Sequence, residues 1–175
     1  MWRTSSLAAF CAGLVAGGVL SAMLFAVIGA LLRIPFPPMV AGALLGVAFV
    51  VAALRELGVL SFRLPQNRRL VPETVFRHGP VLGPLQFGLE MGSGMRTYVT
   101  SGPPYVAIVA VLLLAGPLTA AAAGIGFGLG RSLMTVSNLR YGPSGEWDAA
   151  WVVHSRIIAG ALVAALGALC VVVAW

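Results

Sequence analysis

Glu90 is a carboxylate set in an otherwise apolar, glycine-rich stretch, Pro80 to Val99. Ser93, Arg96, Thr97, Tyr98, Thr100 and Ser101 follow it, ahead of Pro103-Pro104. A charged side chain at bilayer depth costs roughly 2.5–3.5 kcal/mol on insertion scales, so such groups usually mark substrate, ion or proton pathways. An acid, a guanidinium and hydroxyls beside a helix break can line a pathway of that kind, because broken backbone survives in a membrane only against protein or a water-filled cavity. On this reading Glu90 is a proton- or cation-responsive carboxylate and Arg96 its counter-charge or an anion contact, with Thr97, Tyr98 and Ser101 supplying hydroxyls. At about 1.5 Å rise per residue, Glu90 and Arg96 stand roughly 9 Å apart along a helix, so each needs another partner or intervening water. His154 and Arg156, early in the last apolar stretch, are candidate partners for Glu90. A structural ion pair, or a place on an amphipathic surface helix, also accounts for Glu90.

Other chemistry is poorly served. His78 and His154 have no ligands at metal spacing, so no metal site is expected. Serine, histidine and acid residues occur without a nucleophile elbow, and catalysis is not expected. Cys11 and Cys170 lie in apolar runs with no CxxC pattern and read as small hydrophobes. Gly124-Ile-Gly-Phe-Gly-Leu-Gly130 superficially resembles a phosphate loop, but no strand precedes it and no Walker lysine follows. No cofactor is expected.

The elements that must position these residues are apolar helices. Hydrophobic residues make up 59% of the 175-residue chain and charged residues 9%, against about a quarter charged in a soluble domain. This excludes an ordinary cytosolic enzyme. The expectation is an all-α polytopic transmembrane helix bundle, one integral membrane domain over residues 1–175. It has about five spans, near 7–32, 39–60, 80–99, 105–130 and 149–175, with segment 80–104 broken by glycine and proline. The run 7–32 is too long for a signal-peptide core and reads as an uncleaved first helix.

All eleven basic residues are arginine. Their number reads as topological signal rather than a nucleic-acid face, with contact to anionic headgroups as the alternative. With the N-terminus cytoplasmic and 80–99 crossing, Arg3, the cluster Arg55–Arg77 with its basic loop 61–79, Arg131 and Arg140 all fall inside. Arg33 and Arg96 then fall outside, as does the C-terminus. If 80–99 instead dips in and returns, Arg131 and Arg140 move outside; a six-span or re-entrant arrangement stays open. Glu146, Trp147, Asp148 and Trp151 read as an interfacial anchor at the start of the last span. The setting is a bacterial-type cytoplasmic membrane.

Glycines four apart recur as Gly13/Gly17, Gly42/Gly46, Gly88/Gly92, Gly124/Gly128 and Gly126/Gly130. On a helix this spacing makes a flat stripe that another backbone can approach closely. The pairs predict tight packing, either within the chain or against a partner. The expected partners are the lipid bilayer and either further copies of the chain or another membrane protein, with no nucleic acid.

Several of these segments together resemble a known family. A Gly42-Ala-Leu-Leu-Gly46 helix ends in Arg55-Glu-Leu-Gly-Val-Leu60, and an arginine-rich loop follows. Then come Gly83-Pro-Leu-Gln-Phe-Gly-Leu-Glu-Met-Gly-Ser-Gly94 and Gly126-Phe-Gly-Leu-Gly130. Over residues 20–135 this order resembles the cytochrome c biogenesis thiol–disulfide transporters, the CcdA/DsbD membrane family. There, a cysteine pair beside prolines in broken helices carries reducing equivalents across the membrane. The corresponding break here, Gly94 to Pro104, contains no cysteine, so the resemblance implies the scaffold without its redox residues.

Three functions follow as expectations. The first is a transporter-like membrane component with a polar path near the broken helix. The second is a non-catalytic subunit or assembly factor of a membrane complex, docking through its glycine stripes and the 61–79 loop. The third is thiol–disulfide reductant transfer, for which the cysteine pair is missing.

Overall fold

The computed structural model describes residues 4–32, 37–64, 71–94, 101–140 and 146–174. Among them every regular element is helical: α1 (Thr4–Leu32), α2 (Pro38–Glu56), a 3-10 turn (Glu73–His78), α3 (Gly79–Gly92), α4 (Pro103–Leu114), α5 (Pro117–Arg140) and α6 (Glu146–Ala174). Among the described residues two helices, α1 and Met39–Glu56 of α2, are long and apolar enough to cross a membrane.

The helix boundaries depart from the sequence reading in four places. Tyr105–Gly130, expected as one span, is two helices. Ala115 is extended (φ −75°, ψ 136°), and Pro117 lacks the N–H that would continue α4 and disfavours a helical Gly116. Arg131–Arg140, expected as loop, is the last part of α5. The stretch 80–99 is helical only to Gly92, where α3 ends in a turn with Gly94 at φ +73°; residues 95–99 lie outside the described residues. Met39–Leu60 ends at Glu56. There the amide of Val59 bonds to Leu54 O at 2.9 Å and that of Gly58, at φ +78°, to Arg55 O at 3.0 Å. That pair of bonds is a Schellman stop, which needs the positive φ that glycine adopts without strain.

α1 is the hub. It packs along α3 and α5, and its far end meets α4. Its buried residues run Ser6, Phe10, Gly13, Leu14, Gly17, Gly18, Ala22, Ala26 and Gly29, spaced by helical turns. Gly13 and Gly17 lie in backbone contact with Leu85–Leu89 and Leu89–Ser93, and Gly88 and Gly92 with Phe10 and Leu14. Both registers increase together, so α3 is parallel to α1. On the adjoining face Gly18 meets Gly124, while Gly128 meets Leu14 and Val15. That register reverses, so α5 is antiparallel. The α1–α5 seam closes on an apolar cluster of Ala22, Ala26, Val111 and Ala120. The remaining four-apart glycines, Gly42, Gly46, Gly126 and Gly130, have nothing within 4 Å of the position a Cβ would take. α2 buries Ala41 and Leu45 and packs on α4, with α6 lying against both.

Two serines of α1 fasten the two ends of α3. Pro84 sits inside α3 and has no N–H to give the carbonyl four residues earlier, Pro80. Ser6 Oγ donates to that carbonyl at 2.7 Å. At the other end Ser21 Oγ donates at 2.9 Å to Ser93 O, one of the carbonyls a helix terminus leaves without an intrahelical donor. Ser6→Ala is therefore expected to remove the donor from this part-buried bond and destabilise the protein by about 0.5–1.5 kcal/mol. Ser6→Thr, which keeps the hydroxyl, should recover part of that loss, as read from the thermal unfolding midpoint in mild detergent.

Candidate functional site

The polar residues near the helix break divide into two groups. The first holds the residues singled out from sequence. Glu90 is half-buried and lies on α3. Its Oε1 accepts from Gln86 Nε2 at 3.0 Å, and its backbone carbonyl accepts from Ser93 Oγ at 2.8 Å. The α1-facing line of α3 runs through Leu85, Gly88, Leu89 and Gly92. At about 100° per residue Glu90 sits roughly 150° from the middle of that line, so its side chain leaves the helix on the side away from α1. Ser101 is half-buried in the bend before α4. Arg96, Thr97, Tyr98 and Thr100 lie outside the described residues.

Of the two expected partners of Glu90, His154 bonds within its own helix. His154 is exposed, with Nδ1 2.9 Å from Ala150 O on its own helix. α6 packs against α2 and α4, whereas α3 packs against α1 and the 3-10 turn. The side chains of Arg156, Trp147, Asp148, Trp151 and Cys170 lie outside the described residues. Cys11 is a half-buried free thiol. Among the described residues no three His, Cys, Asp or Glu side chains group together to hold a metal ion.

The second group was not singled out from sequence, and its described residues bond to one another across α2 and α4. α4 begins at Gly102, followed by Pro103 and Pro104. The two prolines bring no N–H, so two of the donors a helix start normally leaves open do not exist. The Gly102 amide is taken by a side chain 46 residues away: it donates to Glu56 Oε1 at 2.6 Å. The same oxygen accepts from Arg55 Nη1 at 3.1 Å. Arg55 Nε in turn donates to Phe62 O at 3.3 Å, and its guanidinium lies 5.8 Å from the Phe62 ring centroid. Tyr105, in the first turn of α4, lies within the field of Arg55. Gly102 is buried against Ala52, where a Cβ would come within 2.9 Å of the Ala52 Cβ.

Local sequence explains this assembly. The Schellman stop turns the chain sharply after Glu56 and leaves its carboxylate at the C-terminal end of α2, where the helix dipole disfavours an acid. The neighbouring guanidinium offsets that, and the amide at the positive end of α4 offsets it further. The pairing joins positions 56 and 102, and no local spacing announces it; the only cue is an Arg-Glu pair placed at a helix end.

Compared with protein-family models, with curated protein sequences and with solved structures, the chain matches none.

Proposed function

We propose that this chain is a multi-pass protein of a cytoplasmic membrane, a transporter-like component whose polar path runs beside an interrupted third crossing. The crossings are α1, α2, α3 with α4, α5 and α6, with the N-terminus inside and the C-terminus outside. The observation that carries this reading is the pairing of α3 and α4. At about 1.5 Å per residue, helices of 14 and 12 residues reach roughly 21 and 18 Å, and neither alone covers a hydrocarbon core of about 30 Å. α3 rises beside α1 from Ser6 to Ser21, and α4 ends with Leu112 against Gly29. Together they fill the height of one crossing with a break in its middle. Such a break is tolerated at depth where protein or water solvates its backbone, and interrupted helices of this kind form substrate and ion sites in transporters. Glu56 and Arg55 supply charge beside the break, and Glu90 and Ser101 lie close to it in sequence. The apolar exterior, including Leu20, Leu24, Val27, Leu31, Val47 and Val50, suits lipid.

A second reading, a non-catalytic subunit of a membrane complex, is favoured by one observation. Gly42 and Gly46 form a flat stripe on α2 with nothing among the described residues within 4 Å of the positions their Cβ atoms would take. Native mass analysis after gentle detergent extraction from the source membrane, at natural expression, separates the two. A monomer or homo-oligomer is the expected result for a self-contained transporter. A stoichiometric association with a different protein would overturn it in favour of the subunit.

A further inference from the structure

Two exposed arginines stand at one end of the bundle, Arg77 in the 3-10 turn and Arg140 at the close of α5. Among the described residues the one ion pair is Arg55–Glu56, which neither of them enters. Ser6 Oγ bonds to Pro80 O, so the turn just before Pro80 sits beside the start of α1. α5 passes Gly18 at Gly124, and Leu14 and Val15 at Gly128. At equal rise per residue, Arg140 comes level with the first residues of α1. Arg131 belongs elsewhere: it is half-buried, with its guanidinium 5.7 Å from the Phe127 ring, deeper in the bundle.

The 3-10 turn is clamped. Val75 is buried, and its carbonyl and the Phe76 α carbon lie 2.9 and 3.0 Å from where Gly83 would carry a Cβ. The Phe76 ring stands 5.3 Å from that of Phe87, which stands 5.6 Å from Phe10 on α1. His78 Nδ1 lies 3.0 Å from Val75 O, within the turn itself. A backbone fixed in this way loses little further freedom when Arg77 takes a ligand.

Apolar side chains share this end. Phe76, Val81 and Leu82 lie near Arg77 in the chain, and Leu133 and Leu139 precede Arg140. All five are exposed, Leu82 by 62% and Leu133 by 67%. Bulk water suits the guanidinia but not these side chains, and hydrocarbon suits the side chains but not the guanidinia. A lipid–water boundary suits both. There the apolar groups meet acyl chains, and each guanidinium meets phosphate, which its planar fork grips through two hydrogen bonds. Two acids lie away from this face. Glu90 is ten residues beyond Pro80, roughly 15 Å along α3, and Glu146 opens α6, which packs on α2 and α4. The side chain of Glu73 lies outside the described residues.

We propose that Arg77 and Arg140 make this end of the bundle a contact for anionic phospholipids, selecting headgroups of net negative charge over zwitterionic ones. The proposal rests on the membrane part of the reading above and not on its transport path.

The test uses the full chain with Cys11→Ser and Cys170→Ser, reconstituted in phosphatidylcholine vesicles. Brominated phosphatidylglycerol or brominated phosphatidylcholine is then added as quencher. A fluorophore on Asn138→Cys reads the proposed contact, and one on Leu31→Cys, exposed near the other end of α1, reads the opposite end. At position 138 the binding constant for phosphatidylglycerol relative to phosphatidylcholine should be at least about fivefold, the share that one arginine near a charged surface supplies. Arg77→Gln/Arg140→Gln should bring that ratio close to one, and at position 31 it should be close to one throughout. Equal quenching by the two lipids at position 138 would overturn the contact. So would a preference that survives the double substitution, or an equal preference at position 31. Quenching by neither lipid at either position would show that the chain does not sit in the bilayer, and the contact would fall together with the membrane reading.

Discussion

Replacing Gly17 with leucine is expected to abolish the fold. The α carbon of Gly17 faces the end of α3, where an added Cβ would stand 2.7 Å from the Ser93 amide nitrogen, 3.0 Å from the Gly92 carbonyl carbon and in contact with Leu89 O. Overpacking usually costs about 1–3 kcal/mol because neighbouring side chains can rotate aside. Here the neighbours are backbone atoms of a helix whose glycines have no side chains to move. α3 would have to leave α1, and the bonds from Ser6 and Ser21 that fasten it would go with it. The expected loss exceeds about 3 kcal/mol, a large share of the roughly 5–15 kcal/mol that stabilises a typical protein. Size-exclusion in mild detergent should show aggregate or no protein. Gly42→Leu is the matched control. Its Cβ would meet nothing within 4 Å, and its effect on stability should stay within about 0.5 kcal/mol. A Gly17→Leu protein that melts with the parent would mean that α1 and α3 do not touch along this line.

That contrast measures how far the glycine pattern could be read from sequence. Five four-apart pairs have the same local spelling. Gly13/Gly17 and Gly88/Gly92 face each other across α1 and α3, and Gly124/Gly128 face α1, whereas Gly42/Gly46 and Gly126/Gly130 face open space. Spacing says that a flat stripe exists; it does not say which stripe is turned inward. Gly126/Gly130 makes the point, since it lies on the same helix as Gly124/Gly128 but is rotated by two residues, roughly 200°. Gly18 belonged to no pair and yet meets Gly124. The helical character of the chain was legible because it rests on composition and run length. The helix ends were less so: a run of apolar residues from Tyr105 to Leu114 and on past Pro117 hides the stop at Ala115–Gly116.

The site was legible only in outline. The polar cluster read beside a glycine- and proline-rich break runs up to the start of α4, where Ser101 and Gly102 lie. In sequence Glu90 draws attention because it stands alone in an apolar stretch. Glu56 follows an arginine at the end of an apolar run and so resembles an ordinary interfacial pair. Glu90 bonds to Gln86 one turn earlier on its own helix, and Glu56 bonds across 46 residues to another helix. Long-range pairing of this kind follows from how α2 and α4 pack, and packing is not written in any single segment.

A thiol placed at Arg77 and one placed at Arg140 are expected to react with a membrane-impermeant reagent from the same side. The argument runs through α1. Pro80 is bonded to Ser6, near the start of α1, so the 3-10 turn carrying Arg77 lies at that end of the bundle. α5 passes Gly18 at Gly124 and Leu14 and Val15 at Gly128, so Arg140, twelve residues further on, is carried toward the same end. A crossing by α3 with α4 and a return by α5 place both arginines on one face, cytoplasmic by the positive-inside rule. A dip and return by the 80–99 stretch would place them on opposite faces. Arg77→Cys and Arg140→Cys, each made singly with Cys11→Ser and Cys170→Ser, give an all-or-none readout in right-side-out and inverted vesicles. Both should label only in inverted vesicles. Labelling of the two in opposite preparations would remove the interrupted crossing, and the break between α3 and α4 would then lie at a surface, where water satisfies its backbone and no transport path is needed to explain it.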